Sequence, residues 1–88
     1  MTVNVSSIKF GKMELLHSYQ KHGVNKTKID NSLKRVKEVL KGKQGNKIIY
    51  CQDYLVVVVN KDNKFITSYQ SSKEQYFYKV LKSFTNGK

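Results

Sequence analysis

The sequence predicts an α+β domain: two N-terminal helices, a three- or four-stranded antiparallel meander, and one C-terminal helix. Three observations predict it. Apolar residues recur at helical spacing before residue 42 and again after residue 71. Between them, "KIIYCQDYLVVVVNKDNKFITSYQ" breaks into short strand-like blocks at Gln52-Asp53 and Asp62-Asn63. The chain has 88 residues and no proline, which suits one small core of regular elements joined by short turns. A single domain over 1–88 is expected, with residues 1–7 and 85–88 frayed.

Each element has its own signal. Over 8–22, Phe10, Met13, Leu16 and Gln20 fall near one helix face, with His17 and Lys21 at its edge and Gly23 as the C-cap. Over 28–41, Ile29, Leu33, Val36 and Leu40 form a stripe. There Thr27 is the expected N-cap, Asp30 completes a capping box, and Lys37 and Lys41 complement the dipole before Gly42. "GKQG" is a turn. Strands follow at 47–51, 54–60 and 64–70. The run Val56 to Val59 is apolar on both faces, as in a central strand covered twice. "SSKEQYFYKVLKSF" is the last helix, 71–84, with Ser71 and Glu74 as its capping box. Tyr76, Phe77, Val80, Leu81 and Phe84 share one broad face of it.

The charge is one-sided. Seventeen Lys+Arg against six Asp+Glu give +11, and Arg35 is the only arginine. Such an excess favours polyanionic partners, RNA, DNA or an acidic protein, although codon bias of an AT-rich genome also enriches lysine. Lysines attract phosphate but lack the planar fork that reads guanine edges. Cys51, the one cysteine, lies in an apolar segment and reads as a buried thiol. The longest apolar run, "LVVVV", is far too short for a bilayer, so a cytoplasmic chain without membrane contact is expected.

The residue types narrow the chemistry. There is no Gly-rich phosphate loop, no Cys/His zinc spacing and no carboxylate cluster for two metal ions, so no metal or cofactor is expected. Metal-independent RNA cleavage needs less. The 2′-hydroxyl is the internal nucleophile, a base and an acid move two protons, and cations or hydroxyls stabilise the charged phosphate. His17 and His22 in "HSYQKHG" suit the proton roles and Lys21 the charge. Five residues of helix leave the histidines about 140° apart, so both act together only if the helix ends or bends between them. In "KFITSYQ", Phe65, Thr67 and Tyr69 are expected on one strand face, an aromatic and two hydroxyls that suit a nucleotide platform. Lys47, Tyr50 and Tyr54 on or beside the first hairpin could stack on a base or bind phosphate.

The helical part with "HSYQKHG", the second helix, the meander and the late strand "FITSY" together resemble the barnase/EndoU/colicin/RelE-like ribonuclease superfamily. The resemblance implies helices preceding a curved antiparallel sheet, with RNA lying across the sheet. It implies a metal-free endoribonuclease of toxin, phage or mobile-element type that leaves a 2′,3′-cyclic phosphate on tRNA or mRNA. It gives catalytic roles to His17, Lys21, His22, Thr67 and Tyr69, and an acidic antitoxin or immunity protein as partner. The C-terminal helix is not a general feature of that superfamily. Two other functions stay open on the residues alone: a non-catalytic nucleic-acid-binding protein of a phage or mobile element, and a regulator that docks an acidic protein.

Overall fold

A computed structural model describes residues 4–86, with side chains to residue 82. A short 3₁₀ turn at Val5–Ser7 precedes helices α1 (Lys12–His22) and α2 (Lys26–Leu33). Strands β1 (Val36–Lys41), β2 (Lys47–Cys51), β3 (Leu55–Val59) and β4 (Phe65–Gln70) follow, then helix α3 (Lys73–Asn86). The strands pair antiparallel in chain order, so the architecture is α+β with a four-stranded meander. Residues 4–7, expected to fray, are tied down: the Asn63 side-chain amide donates to the Asn4 carbonyl at 3.0 Å and to Ser7 Oγ at 2.7 Å. The fraying expected at 1–3 and 87–88 lies outside the described residues.

The expected helix over 28–41 is two elements. Asn25, not Thr27, caps α2 by accepting from the Lys28 N–H, and Asp30 pairs with Lys26 instead of closing a box. The helix ends after Leu33, and residues 36–41 pair with β2 as the fourth strand. A β-bulge interrupts this strand at Lys37. Val36 lies opposite Cys51 and Glu38 opposite Tyr50, so Lys37 is the extra residue. Val36 and Val39 therefore point to one sheet face and Leu40 to the other, so the stripe expected through Val36 and Leu40 is split between the two faces. Without β1, the apolar strand β2 would end the sheet as a bare edge.

The first helix is shorter than expected and faces the other way. It starts after Gly11, and Met13, placed on the apolar face by periodicity, is 74% exposed. Leu15 and Ser18 turn inward instead, and Ser18 is fully buried. The helix stops in a Schellman motif. Gly23 is left-handed (φ 68°), its N–H reaches the Tyr19 carbonyl at 2.9 Å, and Val24 N–H reaches that of Ser18 at 3.3 Å. Buried Val24 then anchors the chain.

The sheet is covered on both faces, as the run Val56 to Val59 requires. On one face Cys51, Ile49, Leu55, Val57, Val59 and Phe65 meet Ile29 and Leu33 of α2, with Leu15 of α1 at the margin. On the other, Tyr50 and Val56 meet Tyr76 of α3, with Val80 beside them. Tyr76 also donates to the Glu38 carboxylate, which pushes its phenol up to about 12. The cap of α3 falls one residue later than expected. Ser72 Oγ accepts from Gln75 N–H and Gln75 Oε1 from Ser72 N–H, both at 3.1 Å, while Ser71 Oγ donates to the Tyr54 carbonyl. Tyr76 is buried and Val80 half-buried, but Phe77 and Leu81 of the expected face are exposed; the Phe84 side chain lies outside those described.

Two further contacts fix the layers. The outer edge of β4 is closed by the N-terminal half of the chain: Lys9 carbonyl accepts from Phe65 N–H at 2.8 Å, and Ser18 Oγ accepts from Ser68 N–H at 3.1 Å. Ser68 Oγ donates in turn to the Val56 carbonyl at 2.7 Å. The β2–β3 loop has three residues, not two, with Tyr54 left-handed at its end (φ 65°). Its Asp53 carboxylate accepts from Lys28 Nζ and Ser32 Oγ, each at 2.8 Å, and from Leu55 N–H at 3.1 Å. That locks α2 onto the hairpin.

Both contacts give measurable expectations. Ser18→Ala leaves the buried Ser68 N–H without an acceptor, so unfolding in urea should show a loss of about 1–3 kcal/mol. An unchanged midpoint would mean that the hydroxyl pair does not hold α1. For Asp53, partial burial opposes the charged form, but the bonds from Lys28, Ser32 and Leu55 outweigh it and hold the carboxyl below the usual carboxylate range. A lowered folded value stabilises the fold above the unfolded value of about 3.9 and is lost as pH falls through the folded one. Melting curves from neutral to acid pH should show Asp53→Asn destabilised at neutrality, with the gap to wild type closing below about pH 4. A gap constant with pH would refute the assignment.

Candidate active site

The site forms where the end of α1 meets β4. The Ser18–Ser68 bond sets one helix against the outer strand, and each serine sits beside a candidate residue: Ser18 follows His17, and Ser68 lies between Thr67 and Tyr69. The consequence is a row of three rings. His17 and His22 have ring centres 6.3 Å apart, edge to face, and His22 lies 5.9 Å from Tyr69. The helix neither ends nor bends between them, since α1 runs through both to His22, yet the two rings approach at its last turn. Both are exposed, while Tyr69 is half-buried. Burial pushes the Tyr69 phenol up from its ordinary value, so its hydroxyl keeps its proton at neutral pH and is a donor.

The other candidates divide. Thr67 lies opposite Val58 on the sheet face of Tyr69, two residues along β4, and is half-buried. Lys21, beside His22, is exposed. Phe65 does not join them. A second bulge, at Ile66, puts Val59 opposite Phe65 but Val58 opposite Thr67. Phe65 therefore turns to the face covered by α1 and α2, 1% exposed, with its ring 5.2 Å from that of Phe10. It is a core residue and cannot serve as a nucleotide platform. Tyr50 is also buried, under α3, with its ring centre 5.1 Å from that of Tyr76. Lys47 lies at the far end of β2 from Tyr50, about 10 Å along the strand. It faces Lys41 directly across the ladder. That pair of like charges raises the positive potential at the sheet end without reaching the rings.

Two concavities lie beside these elements. One, of ≈ 310 Å³, is lined by Ser32, Arg35, Gln52 and Asp53 and belongs to the lock between α2 and the hairpin. The other, of ≈ 490 Å³, opens beside Tyr69, between β4 and the first turns of α3. Sequence reasoning missed its α3 wall, including Glu74, Tyr78 and Lys79, because Glu74 was absorbed by the expected capping box. Among the described residues, no three His, Cys, Asp or Glu side chains gather as a metal site. No helix among them is long and apolar enough to cross a membrane.

Cys51 stands apart from the rings. It is fully buried, and burial, with a smaller contribution from the Asp53 charge, pushes its thiol up to about 12 against the opposing pull of Lys28. The native thiol should resist an aromatic disulfide reagent at pH 8 and react at once in denaturant; fast native labelling would overturn this placement.

Comparison of the chain with protein-family models, with curated proteins and with solved structures finds no match.

Proposed function

We propose that the chain is a metal-independent endoribonuclease of toxin type, acting on tRNA or mRNA in the cytoplasm. The observation that carries this reading is the convergence of His17, His22 and Tyr69 at one sheet edge of a chain with net charge +11. Two imidazoles whose centres are 6.3 Å apart can reach two oxygens of one phosphate through hydrogen bonds of about 2.6–3.2 Å each.

The chemistry follows from these groups. One imidazole takes the proton from the ribose 2′-oxygen as that oxygen attacks the adjacent phosphorus. The P–O5′ bond breaks, and the other imidazole gives its proton to the departing 5′-oxygen. The products are a 2′,3′-cyclic phosphate and a 5′-hydroxyl. The Tyr69 hydroxyl donates to a non-bridging oxygen, Thr67 offers a second hydroxyl on that face, and the Lys21 ammonium favours the added negative charge. Only two ion pairs occur among the described residues, so most of the excess charge is available to draw in RNA. The same excess would attract an acidic antitoxin or immunity protein.

The test is incubation of the purified protein with tRNA and mRNA in excess EDTA. Wild type should generate cyclic-phosphate ends, and His17→Ala and His22→Ala should each slow cleavage by about 10²–10⁴-fold. No cleavage by wild type, or equal cleavage by both variants and wild type, refutes the reading. Salt-sensitive RNA binding without cleavage would instead favour the non-catalytic nucleic-acid-binding protein that the charge alone supports.

A further inference from the structure

The two histidines have a second capacity that proton transfer does not use: a neutral imidazole is a metal ligand. Neither ring has a hydrogen-bond or ion-pair partner among the described residues, so a lone pair on each is free. A zinc–nitrogen bond of about 2.0–2.1 Å puts the ion about 3.2 Å from the centre of an imidazole. Two rings on one ion then have centres about 5–6.4 Å apart, from a tetrahedral to a linear angle. The 6.3 Å between His17 and His22 lies in that span. The rings stand edge to face at 77°, and both side chains are exposed, so a turn of one ring aims a nitrogen of each at a shared ion.

The surroundings select the ion. Glu14, three residues before His17, turns its carboxylate back over Gly11 at the start of α1. Tyr69 keeps its proton and supplies no anionic oxygen. Lys21 and the net charge of +11 repel every divalent cation alike. A hard ion such as Mg²⁺ needs oxygen ligands and finds none that are charged. A late first-row ion such as Zn²⁺, Ni²⁺ or Cu²⁺ takes imidazole nitrogen and finds two. We infer that His17 and His22 form a two-nitrogen site for such a cation, with zinc as its probe, and that the bound ion switches the proposed cleavage off. The switching rests on the ribonuclease reading; the binding does not. On the base, the ion holds the lone pair that would take the 2′-hydroxyl proton. On the acid, it displaces to solvent the proton that would go to the 5′-oxygen. Neither proton transfer can then occur.

Calorimetric titration of the folded chain with zinc chloride tests the site. Wild type should bind about one equivalent, and His17→Ala and His22→Ala should each weaken binding by at least about tenfold. Glu14→Gln should stay within about twofold of wild type, and magnesium chloride should give no heat of binding. Both histidines are exposed, and melting curves check that the variants stay folded. In the RNA assay, excess zinc should stop cleavage and EDTA should restore it. No zinc binding, or binding that neither histidine variant weakens, overturns the site, and RNA cleavage in EDTA then leaves the ribonuclease standing. Zinc binding that both variants impair, without RNA cleavage in EDTA, supports the site and overturns the ribonuclease. Cleavage that persists with zinc bound overturns the switch.

Discussion

One buried hydrogen bond sets the geometry on which the candidate site depends. Ser18 is fully buried in the middle of a helix that is otherwise mostly exposed, and its hydroxyl receives the Ser68 N–H of the outer strand. A serine at each position lets helix and strand approach closely, and the bond fixes their register. A one-residue slip of α1 would turn His22 by about 100° away from Tyr69. The same contact removes a hazard. The outer N–H groups of β4 would otherwise form an open edge ready to pair with another chain. Ser18 and Lys9 occupy two of them, so protection of the edge and placement of the histidines are one structural event.

Two departures from the simple strand pattern sit at β-bulges. A β-bulge changes the same-face spacing of a strand from two residues to three. At Lys37 it sends Val36 to one face and Leu40 to the other, although their four-residue spacing reads as one stripe of a helix. At Ile66 it sent Phe65 to one face and Thr67 and Tyr69 to the other, although simple alternation puts all three together. Elsewhere much of the pattern is legible. Strand 47–51 has the expected bounds, Gly23 caps the first helix, and Val56 to Val59 lie in an inner strand covered twice.

The candidate site was legible in part for a related reason. His17, His22 and Tyr69 could be named from residue chemistry, but their approach depends on α1 facing inward through Leu15 and Ser18. Hydropathy counts Met13 and Leu16 as the more apolar side, yet Met13 and Leu16 are exposed. The helix packs by fit and hydrogen bonding, and a short hydroxyl side chain fits against a strand edge where a methionine does not. The 140° between the histidines also misled, because it describes where the side chains leave the helix. The rings close that gap to 6.3 Å at the helix end.

The layering decides which parts of the sheet are open. The resemblance to the ribonuclease superfamily implied RNA lying across the sheet. Here α1 and α2 cover one face, while Tyr76 and Val80 of α3 lie on the other over Tyr50 and Val56. Tyr50 is shut in beneath them, which is why a residue chosen as a stacking platform has become part of a core. RNA flat on the row from Tyr50 to Val56 would have to displace α3. The margin of β4 does not impose that cost. There Tyr69 is half-exposed, flanked by His22 on one side and by the concavity under α3 on the other. The C-terminal helix thus changes the direction of access. It closes part of the sheet face, leaves the edge as the route to the histidines, and adds Glu74, Tyr78 and Lys79 as a wall that the sheet alone could not provide.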